Sequence, residues 1–229
     1  MKRKLFILLA LLILTGCAGP TATPTPGPLD YEPVSLPEVR LTSDVSLEET
    51  LLYRRSIRDY TDEALSLAEV SQLLWAAQGI TEAWGGRTAP SAGALYPLEV
   101  YLVVGDVEGL TPGVYQYRPD GHELVKVKDG DVRGELAEAA LGQDSVRNGA
   151  IDIVIAAVYE RTTVKYGERG IRYVHMEAGH AAQNVYLQAN ALDLGTVTIG
   201  AFYDDSVRDI VGMPGDVAPL YVIPVGKKG

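Results

Sequence analysis

Three arginines and a serine stand within five residues, in the run Arg54-Arg55-Ser56-Ile57-Arg58. A phosphate monoester carries close to two negative charges and several acceptor oxygens, which guanidinium groups can bind in a bidentate way. The run therefore predicts a phosphate-binding site. For one or two of the arginines another interpretation stays open, because basic residues near a helix C-terminus also stabilise the helix dipole.

Small residues dominate a second segment, residues 90–97, which reads Pro-Ser-Ala-Gly-Ala-Leu-Tyr-Pro. Small side chains allow a backbone to approach a flat ring closely, so the segment is a candidate binding loop. The same composition is also typical of a tight turn that leads into a strand. From the residues alone, both interpretations stay open.

Other kinds of site find no support in the sequence. His175 and His180 flank Glu177, but a helical zinc pair needs histidines three or four residues apart, and these are five apart. A packed or capping histidine explains them better, and we predict no metal site. The chain has no Gly-x-Gly-x-x-Gly dinucleotide motif, no Gly-x-x-x-x-Gly-Lys phosphate loop and no Gly-x-Ser-x-Gly elbow.

The chain is strongly acidic, with 30 aspartates and glutamates against 20 lysines and arginines. Loss of residues 1–16 would remove three basic and no acidic residues, and would change the net charge from −10 to −13. A body this acidic is a poor general binder of nucleic acid, so we expect no nucleic-acid partner. Against this charge, a local cluster of arginines is more informative.

The N-terminus has the layout of a secretory signal, in which three basic residues precede an apolar run over residues 5–14. The run is too short for a permanent membrane span, so we expect residues 1–16 to be removed. Leu14-Thr15-Gly16-Cys17 resembles the bacterial lipobox, which predicts a lipidated Cys17 and an extracytoplasmic protein anchored to a bacterial membrane by lipid alone. An ordinary signal that leaves a free thiol is the alternative. Cys17 is the only cysteine, so no internal disulfide forms.

Residues 17–40 contain six prolines among threonines and small residues. This composition predicts an extended, semi-rigid tether, although a strand packed on the domain stays an alternative for residues 29–39. We place the start of the domain near Leu41, and residues 41–229 then fit one domain with a sizeable core.

Helices and strands alternate through this domain. Two capping boxes, Ser46 with Glu49 and Ser66 with Glu69, predict the starts of two helices. Helix formers over residues 173–194 predict a central buried helix, and residues 204–211 predict a short one. Apolar, β-branched and aromatic runs predict strands at residues 98–104, 113–117, 124–128, 151–158, 196–202 and 220–225. This order predicts an α+β fold.

The run Arg54, Ser56 and Arg58 resembles the Arg-x-Ser-x-basic motif at the end of the first helix in the FMN-dependent nitroreductase superfamily. The resemblance implies that Arg54 and Ser56 hold the FMN phosphate, with Arg55 as a helper. It implies that Arg58 lies near the pyrimidine edge of the flavin, where a cation suits the anionic reduced ring. It also implies a mixed, mainly antiparallel sheet packed with helices around a long central helix.

Residues 90–97 are similar to the Ser-Ala-Gly-Ala-x-Tyr-Pro signature of the SagB-type dehydrogenase branch. In that branch the segment contacts flavin across a dimer interface, and a Lys-Tyr pair is implicated in removal of a substrate proton. The pair here is Lys165 and Tyr166. A lysine acts as a base at neutral pH only where burial or a neighbouring charge lowers its pKa. A solvated surface lysine therefore stays an alternative.

The resemblance covers nearly all of residues 47–228 through several ordered motifs. It places backbone near residue 199 beside the flavin ring and returns Lys227 to the phosphate, in preference to Lys228. Besides the arginine motif, the implied FMN-binding residues are Pro90, Ser91, Ala92, Gly93, Leu95, Gln183, Ile199, Gly200 and Lys227.

The sequence therefore predicts a homodimeric FMN-dependent oxidoreductase that transfers hydride at flavin N5. Its substrate is a small molecule or a peptide, and NAD(P)H is a candidate electron donor. The alternative is a membrane-tethered module that keeps the fold and binds flavin or peptide without catalysis.

Overall fold

The structure is a computed structural model that describes residues 31–229. The expected signal segment, Cys17 and the first part of the expected tether lie outside the described residues. Within residues 31–229, no helix has both the length and the apolar composition that a bilayer crossing requires.

A single seven-stranded sheet forms the centre of the fold, in the order β1-β4-β3-β2-β5-β7-β6. Neighbouring strands all pair antiparallel. The strands are β1 (Val34–Ser35), β2 (Leu98–Val104), β3 (Gly113–Arg118), β4 (Glu123–Asp129), β5 (Ile151–Ala157), β6 (Leu194–Thr196) and β7 (Ala218–Lys227). Every residue of β5 is buried. Helices cover both faces of this strand, and its nearly continuous apolar sequence follows from that position.

Residues 31–229 contain seven α-helices, which pack on the sheet or on one another. They are α1 (Leu47–Tyr53), α2 (Leu67–Gln78), α3 (Arg133–Ala139), α4 (Asp144–Asn148), α5 (Glu160–Tyr166), α6 (Arg169–Ala191) and α7 (Asp204–Val211). Both predicted capping boxes form, so α1 and α2 begin directly after Ser46 and Ser66. The expected α+β architecture with a mainly antiparallel sheet is confirmed.

Helix α6 is the long central helix, and it begins at Arg169, four residues before the predicted start. Its core-facing stripe consists of Val174, Ala178, Ala181, Val185 and Ala189, all of which are buried. The spacing of three or four residues keeps these side chains on one face. The alanines allow the helix to approach its neighbours closely, so side chains on more than one face of α6 contact other parts of the molecule.

The folded unit begins at Tyr31, ten residues before the expected boundary at Leu41. Val34–Ser35 pairs with β4 at the sheet edge, and Leu36 is buried in the core. Arg40 is also tied down, because its backbone N–H donates to Gln72 and its carbonyl accepts from the same side chain. The alternative interpretation of residues 29–39, a strand packed on the domain, agrees with strand β1 at Val34–Ser35. The prolines suggested a boundary too late in the chain, because proline can also stand beside an edge strand.

The predicted strand at residues 196–202 is shorter in the structure. Strand β6 ends at Thr196, and beyond it only Ile199 makes an isolated bridge, to Val222. The chain leaves the sheet because the backbone N–H of Thr198 donates to a side chain on α6 instead of to a neighbouring strand.

Candidate functional site

The predicted phosphate-binding run leaves the C-terminus of α1 and packs against α6. The Ser56 hydroxyl lies 2.9 Å from the Tyr186 hydroxyl, and the Arg54 guanidinium carbon lies 4.9 Å from the centre of the Tyr186 ring. The backbone N–H of Thr198 donates to the same phenol oxygen at 2.9 Å. We call Arg54, Ser56, Tyr186 and Thr198 the arginine–tyrosine cluster.

This cluster has a positive electrostatic character. Burial raises the pKa of the Tyr186 phenol, but hydrogen bonds with Ser56 and Thr198 and the charge of Arg54 outweigh burial, so the net pKa is below its usual value. Arg58 is exposed nearby in sequence. Among residues 31–229, neither Arg54 nor Arg58 forms an ion pair with a carboxylate. Two guanidinium groups are therefore available to an anionic ligand.

Two other basic residues assigned to the phosphate have different partners. The Arg55 side chain donates to the carbonyl oxygens of Leu52 and Arg54, so it caps the end of α1, as the helix-dipole alternative expected. The Lys227 ammonium lies 2.6 Å from Glu69 in the capping box of α2. The charge of Lys227 is therefore paired with an acidic residue at the start of α2, and its assignment to the phosphate stays a prediction.

Residues 90–97, which we call the small-residue loop, form a turn with unusual backbone geometry. Gly93, Ala94 and Tyr96 have φ angles of 65°, 54° and 44°. The Ser91 hydroxyl stabilises the turn by accepting a bond of 2.9 Å from the backbone N–H of Tyr96. Non-glycine residues with positive φ are uncommon and store strain, which is frequent at functional sites.

The small-residue loop contacts the Lys-Tyr pair. A β-carbon at Gly93 would lie 2.7 Å from the Tyr166 hydroxyl and 2.8 Å from the Lys165 ammonium, so only glycine fits without movement. The Lys165 ammonium lies 5.4 Å from the centre of the Tyr166 ring, and the Lys165 side chain is exposed. Two motifs that are distant in sequence thus meet at one place.

A buried carboxylate lies beside this loop and was missed as a site residue. Glu177 on α6 is 3% exposed. Burial raises its pKa to about 7, against weaker opposing effects of the Ser91 hydroxyl and the Arg87 charge. Glu177 and Ser91 line a cavity of about 250 Å³, which His180 also borders. The sequence signal was available, since an acidic residue next to Ala178 interrupts an apolar helix face.

The arginine–tyrosine cluster and the small-residue loop contact α6 on opposite sides. Tyr186 belongs to the first and Glu177 lies beside the second, and the step of nine residues from Glu177 to Tyr186 covers about 13.5 Å and about two and a half helical turns. One small ligand cannot easily contact both groups in one protomer.

The remaining predicted residues fall near one group or the other. Gln183 is exposed one turn before Tyr186, and Gly200 is exposed just after Thr198. Ile199 is buried, and its backbone N–H and carbonyl are both bonded to Val222, so the structure does not leave its backbone polar groups to a ligand. In the loop, Pro90 is exposed, whereas Ala92 and Leu95 are half-buried.

Helix α1, which leads into the arginine run, presents an apolar surface to solvent. Its large apolar residues are exposed by 55% to 63% of their area. They are Leu47, Leu51, Leu52 and Tyr53. Several large exposed apolar side chains on one short helix are typical of a protein–protein interface.

Comparison with protein families and sequences gives a consistent result. The model described as "Nitroreductase family" matches residues 51–227. A protein of Methanocaldococcus jannaschii that is named as a nitroreductase is 49% identical over 199 residues, or 87% of this chain and 98% of that protein. The FMN reductase (NADPH) of Bacillus subtilis is 25% identical over 192 residues, or 78% of this chain and 64% of that protein.

Solved structures show the same similarity. A protein of Anabaena variabilis that is named as a nitroreductase has a TM-score of 0.77 at 32% identity, and the match covers 87% of this chain and 42% of that longer chain. A chain of the Escherichia coli microcin synthetase complex McbBCD, solved with truncated pro-MccB17 bound, has a TM-score of 0.66 at 27% identity. That match covers 84% of this chain and 79% of the other.

Proposed function

The chain belongs to the nitroreductase family, and on this basis we propose that it binds FMN and transfers hydride at flavin N5. Membership of this family supports an oxidoreductase activity for the chain. The cofactor is supported by similarity to an FMN reductase, and the reaction type by the motifs of the SagB-type branch.

The arginine–tyrosine cluster is the observation that carries the proposal. Arg54 and Arg58 have no carboxylate partner among the described residues, and the Ser56 hydroxyl lies beside them in sequence. A phosphate group supplies the negative charge and the acceptor oxygens that such a set of donors matches. These residues therefore fit the phosphate end of FMN, with Arg58 free to reach the ring.

A complete site requires two protomers. The small-residue loop and the arginine–tyrosine cluster lie on opposite sides of α6, and α1 exposes Leu51 and Leu52 next to the arginine run. Burial of α1 against a second copy would bring the loop of one protomer to the cluster of the other. We therefore propose a homodimer with two flavin sites at its interface.

Bound FMN would supply a two-electron acceptor at N5, and side chains of the protein would remove the substrate proton. Lys165 and Tyr166 lie against Gly93, so they are placed to take a proton from a substrate held at the small-residue loop. This pairing favours dehydrogenation of a small molecule or a peptide. Similarity to a microcin synthetase chain solved with a peptide supports the peptide class.

A second candidate is a binding module that keeps the flavin site without turnover. Exposure of the Lys165 side chain in the single protomer favours it, because an open surface does not exclude water from a reacting group. Flavin that binds but is neither reduced by NAD(P)H or substrate nor reoxidised by an acceptor would support this alternative.

Anchorage to a membrane is part of the proposal and is supported by the sequence of residues 1–17 alone. Lipid attached to Cys17 would hold the domain at the membrane, outside the cytoplasm. Labelled palmitate incorporated by the wild type and lost in Cys17→Ser would support this location, whereas equal labelling of both would contradict it.

Absorbance of the purified full chain tests the central proposal. We expect flavin bands near those of free FMN after purification or after reconstitution with FMN. A colourless protein that gains no flavin bands on reconstitution would contradict both the enzyme and the flavin-binding module.

A further inference from the structure

Glu177 is a buried carboxyl group whose position is not explained by packing. The side chain is 3% exposed, and among the described residues its Oε1 atom has no hydrogen-bond partner. An unpartnered buried polar atom costs free energy, so a group of this kind persists only where the fold or the function requires it.

Within residues 31–229, no cationic side chain forms an ion pair with this carboxyl group. Arg87 is the charged residue that influences it, but the two form no ion pair. The Arg87 side chain is committed elsewhere, since it donates to Gln78 at 2.8 Å and its guanidinium lies 4.7 Å from the centre of the Tyr96 ring. Glu177 is thus able to hold a proton.

The cavity of about 250 Å³ connects Glu177 with the small-residue loop. Ser91 and Ala92 form one part of its wall, and Glu177 and His180 form another. The volume suits a small aromatic or quinone ring, and Gly93, the next residue after Ala92, packs against Lys165 and Tyr166. Glu177 and the Lys-Tyr pair therefore lie beside the same loop.

We propose that Glu177 donates the proton to the electron acceptor that reoxidises the reduced flavin, and that this acceptor lies in the cavity beside Ser91. The assignment rests on the proposed function. Under this assignment, Lys165 and Tyr166 remove a proton from the substrate in the first half of the reaction cycle. Glu177 then donates a proton to the acceptor in the second half.

The acceptor step balances for a quinone. Bound reduced flavin would supply a hydride, that is two electrons and one proton, and a quinone that accepted it would be left with one phenolate oxygen. The O–H bond of Glu177 breaks as that oxygen takes the proton, which leaves hydroquinone and a carboxylate. Water that enters the cavity then reprotonates Glu177.

The pH dependence follows from the groups around Glu177. Arg87 lies behind it, Tyr173 and His180 border the same cavity from α6, and Lys165 lies beyond Gly93 on α5. Since burial raises the pKa of Glu177 to about 7, the proton is present below neutral pH and is lost above it. Quinone reduction should therefore slow as the pH rises through about 7.

The test compares Glu177→Gln with Glu168→Gln in the FMN-loaded full chain. Glutamine keeps the size of Glu177 but cannot supply a proton, and Glu168 is an exposed glutamate at the start of the same helix. Reduced protein is mixed with 1,4-benzoquinone in a stopped-flow instrument from pH 5.5 to 8.5. We expect Glu177→Gln to reoxidise at least about tenfold more slowly at pH 6 and to lose the pH dependence, while Glu168→Gln behaves as the wild type.

An infrared measurement adds a readout that does not depend on turnover. We expect the flavin-free wild type to show a protonated carboxyl band that disappears near pH 7 and is missing from Glu177→Gln, whereas any band of the buried Asp152 is common to both proteins. If Glu177→Gln binds FMN and keeps the wild-type rate and pH profile, the role of Glu177 is wrong and the proposed function stands. If the wild type binds no FMN, the proposed function fails, and this role fails with it.

Discussion

The hydroxyl groups of Ser56 and Tyr186 lie 2.9 Å apart, although 130 residues separate them in the chain. This contact joins the segment after α1 to the central helix, and the Arg54 guanidinium covers the same tyrosine ring. The candidate phosphate site is therefore organised by a residue that the arginine motif does not contain.

Arg54→Ala should weaken FMN binding by about 10- to 100-fold, because a charge-assisted hydrogen bond to phosphate contributes about 1.5 to 3 kcal/mol. Arg55→Ala is the matched control. Its side chain is bound to helix carbonyls, so FMN affinity should stay within about twofold of the wild type. Fluorescence titration of FMN measures both variants, and equal loss of affinity in the two would contradict the assignment.

Tyr186→Phe should lower the free energy of unfolding by about 1 to 2 kcal/mol. The change removes the acceptor of the Thr198 backbone N–H and the partner of Ser56, and it leaves the ring in place. Urea unfolding followed by circular dichroism gives the difference. A variant as stable as the wild type would show that water replaces the phenol without cost.

Gly93→Ala should reduce turnover more than it reduces stability. The φ angle of 65° strains any β-carbon, and this one would also displace Lys165 and Tyr166. Gly85→Ala is the control, since Gly85 has a φ angle of 93° and open space around it. Both variants should lose about 1 kcal/mol of stability in thermal unfolding, whereas only Gly93→Ala should lose substrate oxidation.

Asp152→Asn should stabilise the protein above pH 5 and have little effect near pH 3. Asp152 is fully buried in β5, and neither carboxyl oxygen has a partner among residues 31–229. Burial raises its pKa well above the usual value, against the charge of Arg133. The unfolded chain ionises first as the pH rises, so the folded state loses about 1.4 kcal/mol for each pH unit between the two pKa values.

Chemical unfolding of the Asp152→Asn variant at several pH values measures this effect. Asp62→Asn serves as the control because Asp62 is exposed. The free energy of unfolding of this variant should show the same pH dependence as that of the wild type. If Asp152→Asn is less stable than the wild type at pH 7, the carboxylate has a stabilising partner, such as Arg133, that outweighs its burial.

Leu51→Glu should convert the proposed dimer into monomers at micromolar concentration, because it places a charge among the exposed apolar side chains of α1. Leu141→Glu is the control. That leucine is also exposed, by 56%, but it lies between α3 and α4. Sedimentation velocity gives the oligomeric state. A wild-type monomer would contradict the two-protomer site directly.

Structural features that depend on residues close together in the chain could be predicted from the sequence. The Ser46 and Ser66 capping boxes close over three residues, so α1 and α2 begin where the pattern indicates. The apolar run of β5 and the helix at residues 204–211 were likewise correct. The arginine motif and the small-residue loop were recognisable for the same reason, since each is a short run of defined residue types.

Contacts between distant residues were decided only by the tertiary structure. Lys227 pairs with Glu69 across 158 residues, Gly93 packs against Lys165, and Glu177 is buried beside Ser91. The sequence shows which groups carry charge or a proton. Packing of the helices on the sheet determines which groups meet and how much water remains around them, and these two conditions set their partners and their pKa values.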